Sequence, residues 1–200
     1  MSFYPGHLPT PELLRTPQFI LEPLRPSHNP LDYEAIMASR EQLRLWGGHD
    51  WPADHFSAAA NHDDLALHWL EHQGRIAFTY TILTPDHRLC LGCVYIRPLA
   101  ELQAANPTAL PQLAPGVALV RFWVRTDHLS TPLEAGLLNE LRHWFAADWP
   151  FSRLLFETRR DNKRQVALFE SAGMDLACRL HMPDRGGEHL FFDNQPLTGT

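Results

Sequence analysis

The sequence predicts an α/β protein, of α+β type in its outer strands, built on a mixed central sheet of about seven strands flanked by helices. Two observations carry this expectation. Between Gly116 and Met174 the chain runs strand, helix, strand, helix, with roughly thirty residues from one strand to the next, which is a βαβ crossover and requires parallel pairing. On either side of that unit lie pairs of strand-like runs joined by short turns, which require antiparallel pairing in the same sheet.

The crossover supplies the reference point. Its first strand is Val117–Val124, an apolar run, and a helix follows from about Thr131 to Ala147. In that helix Leu133, Leu137, Leu138, Leu141, Trp144 and Phe145 share one face at helical spacing. Thr131-Pro-Leu-Glu134 reads as a capping box, with proline at the first helical position. The second strand is Arg153–Thr158, and the second helix opens at Asp161 or Asn162 and stops at Gly173. A ligand is expected at the carboxyl end of the first strand, where the helix N-terminus offers unpaired N–H groups.

Residues 1–17 carry Pro5, Pro9, Pro11 and Pro17 and read as an irregular lead-in. Phe19–Leu24 is the first strand, with Pro23 marking an edge or bend. Asn29-Pro30 opens a helix to about Leu45, ended by Gly47-Gly48. Asn61 is expected to cap a helix from His62 to Gln73, with Asp63 and Asp64 in its first turn and Gly74 as its stop. Arg75–Leu83 and Leu89–Ile96 form a hairpin around Pro85-Asp86-His87, and Gly92 marks a bulge. Residues 98–116 form a longer connection. Two antiparallel strands, 175–182 and 188–193, close the domain, and 194–200 are a loose tail. One domain over 18–193 follows, with no internal repeat.

Composition narrows the function. Of 200 residues, 44% are hydrophobic and 20% charged, globular values. The net charge of −6 speaks against nucleic acid, whose phosphates need a basic face. No apolar run reaches membrane-spanning length, and the first residues carry neither a basic nor an apolar signal segment. Cys90 and Cys93 have C-x-x-C spacing, but on a strand residues three apart point to opposite faces. Buried reduced thiols of a cytoplasmic protein are the simpler reading. His68-Trp-Leu-Glu-His72 matches the inverted zinc-peptidase motif, with His68 and His72 as ligands and Glu71 as base. Asp64 extends the same face by one turn, but the sequence names no third ligand, and an ionic network around Glu71 on a helix surface accounts for the motif better.

The whole order of elements resembles the GNAT (Gcn5-related) N-acetyltransferase family over residues 18–193. The most specific part is Asp161-Asn-Lys-Arg-Gln-Val-Ala-Leu-Phe-Glu-Ser-Ala-Gly-Met174, similar to the family's fourth helix, and Leu91-Gly-Cys-Val94 is similar to its third strand. The resemblance implies acetyl-CoA as co-substrate, no metal, and an amine of a small molecule or peptide as acceptor, attacking directly in a ternary complex. Charge and hydropathy add the expectation of no nucleic-acid and no membrane partner, and a homodimer stays open. Phe122, Trp123 and Val124 would pair with pantetheine as an added strand does. The phosphate loop falls on Leu129, Ser130, Thr131, Pro132, Leu133 and Glu134, so that Leu129, Ser130, Thr131, Leu133 and Glu134 are cofactor candidates. Asn162 and Phe169 join them from the second helix.

Three departures from the family pattern stand out. Pro132 removes an N–H donor, Glu134 places a carboxylate where a pyrophosphate would sit, and Phe169 replaces the tyrosine that many members use as an acid. Candidate catalytic groups are therefore Glu157, Tyr80 and His128. Trp46, His49, Asp50 and Trp51 fall where the family's acceptor loop lies and are the candidate substrate contacts. A non-catalytic, ligand- or partner-binding protein of the same fold is the alternative.

Overall fold

The computed structural model describes residues 3–100, 102, 116–129 and 131–194. Eight strands form one sheet in the order β1-β2-β3-β4-β5-β6-β8-β7. They are β1 (Leu14–Arg15), β2 (Ile20–Pro23), β3 (Phe78–Leu83), β4 (Cys90–Pro98), β5 (Val117–Val124), β6 (Arg153–Arg159), β7 (Asp175–Met182) and β8 (Gly187–Asp193). Five α-helices are described: α1 (Asn29–Ala38), α2 (Arg40–Gly47), α3 (Ala58–Gln73), α4 (Leu133–Asp148) and α5 (Lys163–Ser171). Among the described residues only β5 and β6 pair in parallel. The crossover through α4 is thus as expected, and the sheet has one strand more than expected, because Leu14 and Arg15 of the lead-in pair with Leu21 and Ile20.

Side chains alternate across β5 and divide the core. Ala118, Val120, Phe122 and Val124 pack against the apolar face of α4 and against Phe169 of α5. Trp123 points the other way and packs with Leu43, Trp46 and Leu65 of α2 and α3. Leu119 joins a third cluster with Leu155, Leu180 and Phe191. The lead-in also contributes to the core, since Tyr4 is only 1% exposed and stacks edge-on against Phe78 and Trp149.

Four local expectations change, each for a traceable reason. The first helix breaks at Ser39, whose φ is −113° and whose Oγ accepts from the Thr126 N–H at 3.1 Å. The helix expected from His62 starts at Ala58, with Ser57 as its cap accepting from the Ala60 N–H at 3.2 Å. Asn61 instead turns inward and donates to Asp32 at 2.9 Å and Asn29 at 3.0 Å, tying α3 to α1. Replacing Ser57 by alanine should cost about 1 kcal/mol in urea unfolding, whereas Asn61 is expected to matter for the contact between the two helices.

The third change concerns the cysteines. Ile82 lies opposite Gly92 but Leu83 opposite Cys90, so Leu91 is an extra residue in β4. This bulge brings Cys90 and Cys93 to the same face and into the same apolar cluster. Gly92 has φ +144°, and a Cβ there would lie 2.0 Å from the Trp123 carbonyl oxygen, so glycine is required. The fourth change is the capping box. Thr131 Oγ1 accepts from the Leu133 N–H at 3.3 Å, but Glu134 does not turn back to its own helix; it pairs with Arg164 of α5.

Candidate functional site

The parallel pairing of β5 with β6 ends at Val120 and Phe156. Beyond that point the two strands part, and the structure opens on the α1–α3 side into a cavity of about 560 Å³. Its walls are Trp46 and His49 from the end of α2, Trp51 of the following loop, Asp64 and His68 of α3, Tyr95 and Arg97 of β4, Leu119 and Arg121 of β5, Glu157 of β6, and Arg185.

Glu157 lies at the bottom of this cavity and is 1% exposed. Its Oε1 lies 2.7 Å from Nδ1 of His189 and 3.1 Å from Arg185. Its Oε2 is 3.8 Å from Nε of Arg121, and neither of those two atoms has a hydrogen bond among the described residues. Burial pushes the carboxyl up, but Arg121, the bond to His189 and Arg185 outweigh it and hold Glu157 down at about 2. A carboxylate this strongly held is a poor proton acceptor. It fixes two guanidinium groups instead.

Arg121 is oriented further by the Trp46 carbonyl at 3.1 Å and by the Trp46 ring, 4.0 Å below its guanidinium carbon. Arg185 is brought over the cavity by a close backbone contact between the α2 end and the β7–β8 turn. Gly48 and Gly186 have φ +77° and +76°, and a Cβ on Gly186 would lie 2.4 Å from the Gly48 carbonyl oxygen. Arg159 locks the same junction by donating to the carbonyls of Leu45, at 2.6 Å, and Gly186.

The aromatic wall is also hydrogen-bonded. Trp123 Nε1 donates to the Tyr95 hydroxyl at 3.2 Å, so Trp123 stands behind Tyr95 rather than on the cavity surface. Trp46 Nε1 donates to the Phe122 carbonyl at 2.8 Å, and Gln165 Nε2 donates to the same oxygen at 3.1 Å. Gln165 is held in place by Thr158, which donates to its Oε1 at 2.8 Å, and by Asn162 Nδ2 at 3.2 Å. Both lone pairs of the Phe122 carbonyl are therefore engaged, at the point where the strands part.

The other expected residues are distributed as follows. His49 lines the cavity; its Nδ1 accepts from the Trp51 N–H at 3.2 Å, and burial, then Arg121 and Arg185, lower its pKa. Asp50 is exposed and lies outside the lining. Trp51 stands edge-on to Phe56 at 5.6 Å. Tyr80 is buried in the α4-side core, donates to the Pro11 carbonyl and has its pKa raised by burial; it is not part of the cavity. His128 sits in the turn before α4, 3.9 Å from Asp127, and is likewise absent from the lining. Phe122, Val124 and Phe169 are core residues, with Phe169 edge-on to Phe122, Phe156 and Phe192.

In the turn after β5, Leu129 and Leu133 pack on the core, and Thr131 Oγ1 donates to the His128 carbonyl at 2.7 Å. Ser130 lies outside the described residues. Glu134 is 5% exposed, is paired with Arg164, and keeps one oxygen without a hydrogen bond among the described residues. Sequence reasoning missed Arg97, Arg159 and Arg185 as parts of the site, since arginines spread along a chain carry no local signal.

The zinc-peptidase arrangement does not form. His72 stacks on Trp69 and lies edge-on to Phe78 and Tyr80, while Glu71 is bound by Arg97 at 3.0 Å. Among the described residues no group of three His, Cys, Asp or Glu side chains could hold a metal ion, and no helix is long and apolar enough to cross a membrane.

No protein-family model matches the sequence, and no curated protein matches it. Solved structures do match by shape. RimJ of Mycobacterium smegmatis in complex with CoA-disulfide has a TM-score of 0.72 at 18% identity, covering 98% of this chain and 93% of that one. The ribosomal-protein-S5-alanine acetyltransferase of Vibrio fischeri has a TM-score of 0.71 at 11% identity, covering 95% of this chain and all of that one. The microcin C7 self-immunity acetyltransferase MccE, in complex with acetyl-CoA and AMP, has a TM-score of 0.71 at 14% identity, covering 92% and 96%. With the parallel β5–β6 pair, its early end at Val120 and the cavity beside it, these likenesses establish that the chain has the GNAT N-acetyltransferase fold.

Proposed function

We propose that this protein is an N-acetyltransferase that moves an acetyl group from acetyl-CoA to an amine held in the cavity beside Glu157. The observation that carries the reading is the coincidence of that cavity with the point where β5 and β6 part. Acetyl-CoA supplies an activated thioester, and the products are an amide and the CoA thiol.

Two features fit the co-substrate. The edge of β5 beyond Val120 has no partner in β6, so backbone groups of the Phe122–Val124 stretch are placed to pair with pantetheine. The N-terminus of α4 offers its dipole to the pyrophosphate, with Leu129, Thr131 and Leu133 shaping the approach. Two features oppose it. The Phe122 carbonyl is held by Trp46 and Gln165, and Glu134 sits at the start of α4. Binding requires those two side chains to release the carbonyl, and it works against the Glu134 charge.

On the acceptor side, Trp46, Trp51 and Tyr95 offer flat apolar surface. Beneath them lies the buried Arg121–Glu157 pair, which puts fixed charge behind that surface. A peptide α-amine or a small primary amine suits such a mixed wall, and the structural relatives described as acetylating ribosomal proteins support the first of these. A cytoplasmic location, a single domain over 18–193, and the absence of nucleic-acid and membrane partners complete the reading.

Titrating acetyl-CoA against the melting temperature tests it. A ligand bound only by the folded state adds about 2.7 kcal/mol at a hundredfold excess over its dissociation constant. A saturable rise supports the reading. The second reading, a non-catalytic binder of the same fold, is favoured by the engaged Phe122 carbonyl and the Glu134–Arg164 pair. It leads if millimolar acetyl-CoA leaves the melting temperature unchanged.

A further inference from the structure

We propose that His68, oriented by Glu71, is the base that takes the proton from the acceptor amine. The assignment rests on the acetyltransferase reading above and deepens it. His68 projects from α3 into the cavity, where its ring lies 5.6 Å from the ring of Tyr95. Its Nδ1 is 3.3 Å from Glu71 Oε2 and 3.3 Å from the Thr79 hydroxyl. A carboxylate only accepts, so Nδ1 carries the hydrogen and the lone pair of the neutral ring is on Nε2. Nε2 has no hydrogen-bond partner among the described residues.

Glu71 cannot swing away freely, because Arg97 grips both of its oxygens, at 3.0 and 3.5 Å. The resulting chain runs Arg97, Glu71, His68, cavity. It is the orienter–base arrangement that catalytic histidines use elsewhere. The H-x-x-E-H spacing thus has a purpose that does not involve a metal: histidine and glutamate three residues apart share a helix face, and His72 faces the core instead.

The charged and titratable groups around His68 are Glu71 and Asp64 on α3, and Arg97 and Tyr95 on β4. Burial lowers the pKa of His68 and Arg97 adds to this, while Glu71 and Asp64 raise it; the net direction is down. The ring is neutral at pH 7 and ready to accept. An acceptor arriving as R–NH3+ gives one proton to Nε2, which leaves R–NH2 with its lone pair and an imidazolium. The proton then passes to water through the open mouth of the cavity. Reach directly or through one water is sufficient.

The test has two arms. In the free protein, 15N NMR should show neutral His68 as the Nδ1–H tautomer, and Glu71→Gln should lower its pKa. An Nε2–H tautomer overturns the proposal whatever the activity. In the second arm, tripeptides beginning with Ala, Ser or Met, together with putrescine and tyramine, are incubated with acetyl-CoA and wild-type protein, and thiol release is followed. His68→Gln should lower kcat/KM about 10²–10⁴-fold while leaving acetyl-CoA binding and the melting temperature close to wild type. The acid limb of the pH profile should coincide with the NMR titration and move to lower pH in Glu71→Gln. Wild-type rates and an unmoved limb in the variants overturn the base assignment alone. A wild-type protein that acetylates none of these amines and does not bind acetyl-CoA overturns the reading beneath it as well.

Discussion

Glu157→Ala should lower the unfolding free energy by about 3–5 kcal/mol, the cost of removing one partner from a buried charge cluster. The carboxylate answers Arg121, Arg185 and His189 together, and none of these finds a replacement anion in the cavity floor. Arg121 suffers most. It is buried beside Arg185 and Arg159, both of which oppose its charge. Urea unfolding at neutral pH measures the loss. Its pH dependence has a definite sign. The folded carboxyl titrates at about 2, below its ordinary value of 4.5. Its contribution is therefore complete above the ordinary value and fades as the pH falls toward 2. The gap between wild type and variant should narrow over that window. A gap that stays constant down to pH 3 would mean that the cluster gains nothing from ionisation.

Glu134→Gln should tighten acetyl-CoA binding about tenfold or more. The wild-type carboxylate sits in the first turn of α4 and holds Arg164. Neutralising it removes a repulsion from the expected pyrophosphate position and frees a guanidinium. A hydrogen bond to a charged group contributes about 1.5–3 kcal/mol, and each 1.4 kcal/mol is about tenfold. Calorimetric titration at two salt concentrations checks both parts, because a freed arginine also makes binding more salt-sensitive. Unchanged or weaker binding would place the pyrophosphate elsewhere.

These effects meet where local sequence signals were weakest. The β5–α4–β6–α5 unit was legible because it depends on local periodicity: an eight-residue strand and a helix with one apolar face. What escaped depended on residues distant in sequence. Thr131-Pro-Leu-Glu134 has the pattern of a capping box, but Arg164, thirty positions on, competes for Glu134 and wins. Asn61 resembles a cap, yet Asp32 draws it into the core. Cys90 and Cys93 share a face only because Leu91 bulges out of register. A two-residue strand such as Leu14–Arg15 is too short for any periodicity to show.

The site divides in the same way. Trp46, His49 and Trp51 were legible as an aromatic and polar loop between helices, and they do line the cavity. Glu157 was visible as a charge in an apolar strand, but its three partners come from β5, the β7–β8 turn and β8. Those partners make it a structural anion with a depressed pKa. His68 and Glu71 stood out as a motif. The residue that gives the motif its meaning, Arg97, lies on a neighbouring strand. Phe169 shows the converse: an aromatic residue at a position the family uses for an acid, here surrounded by Phe122, Phe156 and Phe192.

Mass spectrometry of peptide α-amines and small primary amines, after incubation with acetyl-CoA and the wild-type protein, decides whether this protein transfers acetyl groups. At least one amine class should gain one acetyl group, matched by an equal release of CoA thiol. Saturable acetyl-CoA binding with no acetylated product from either class would contradict it, and the cavity beside Glu157 would then be a binding site without acyl transfer.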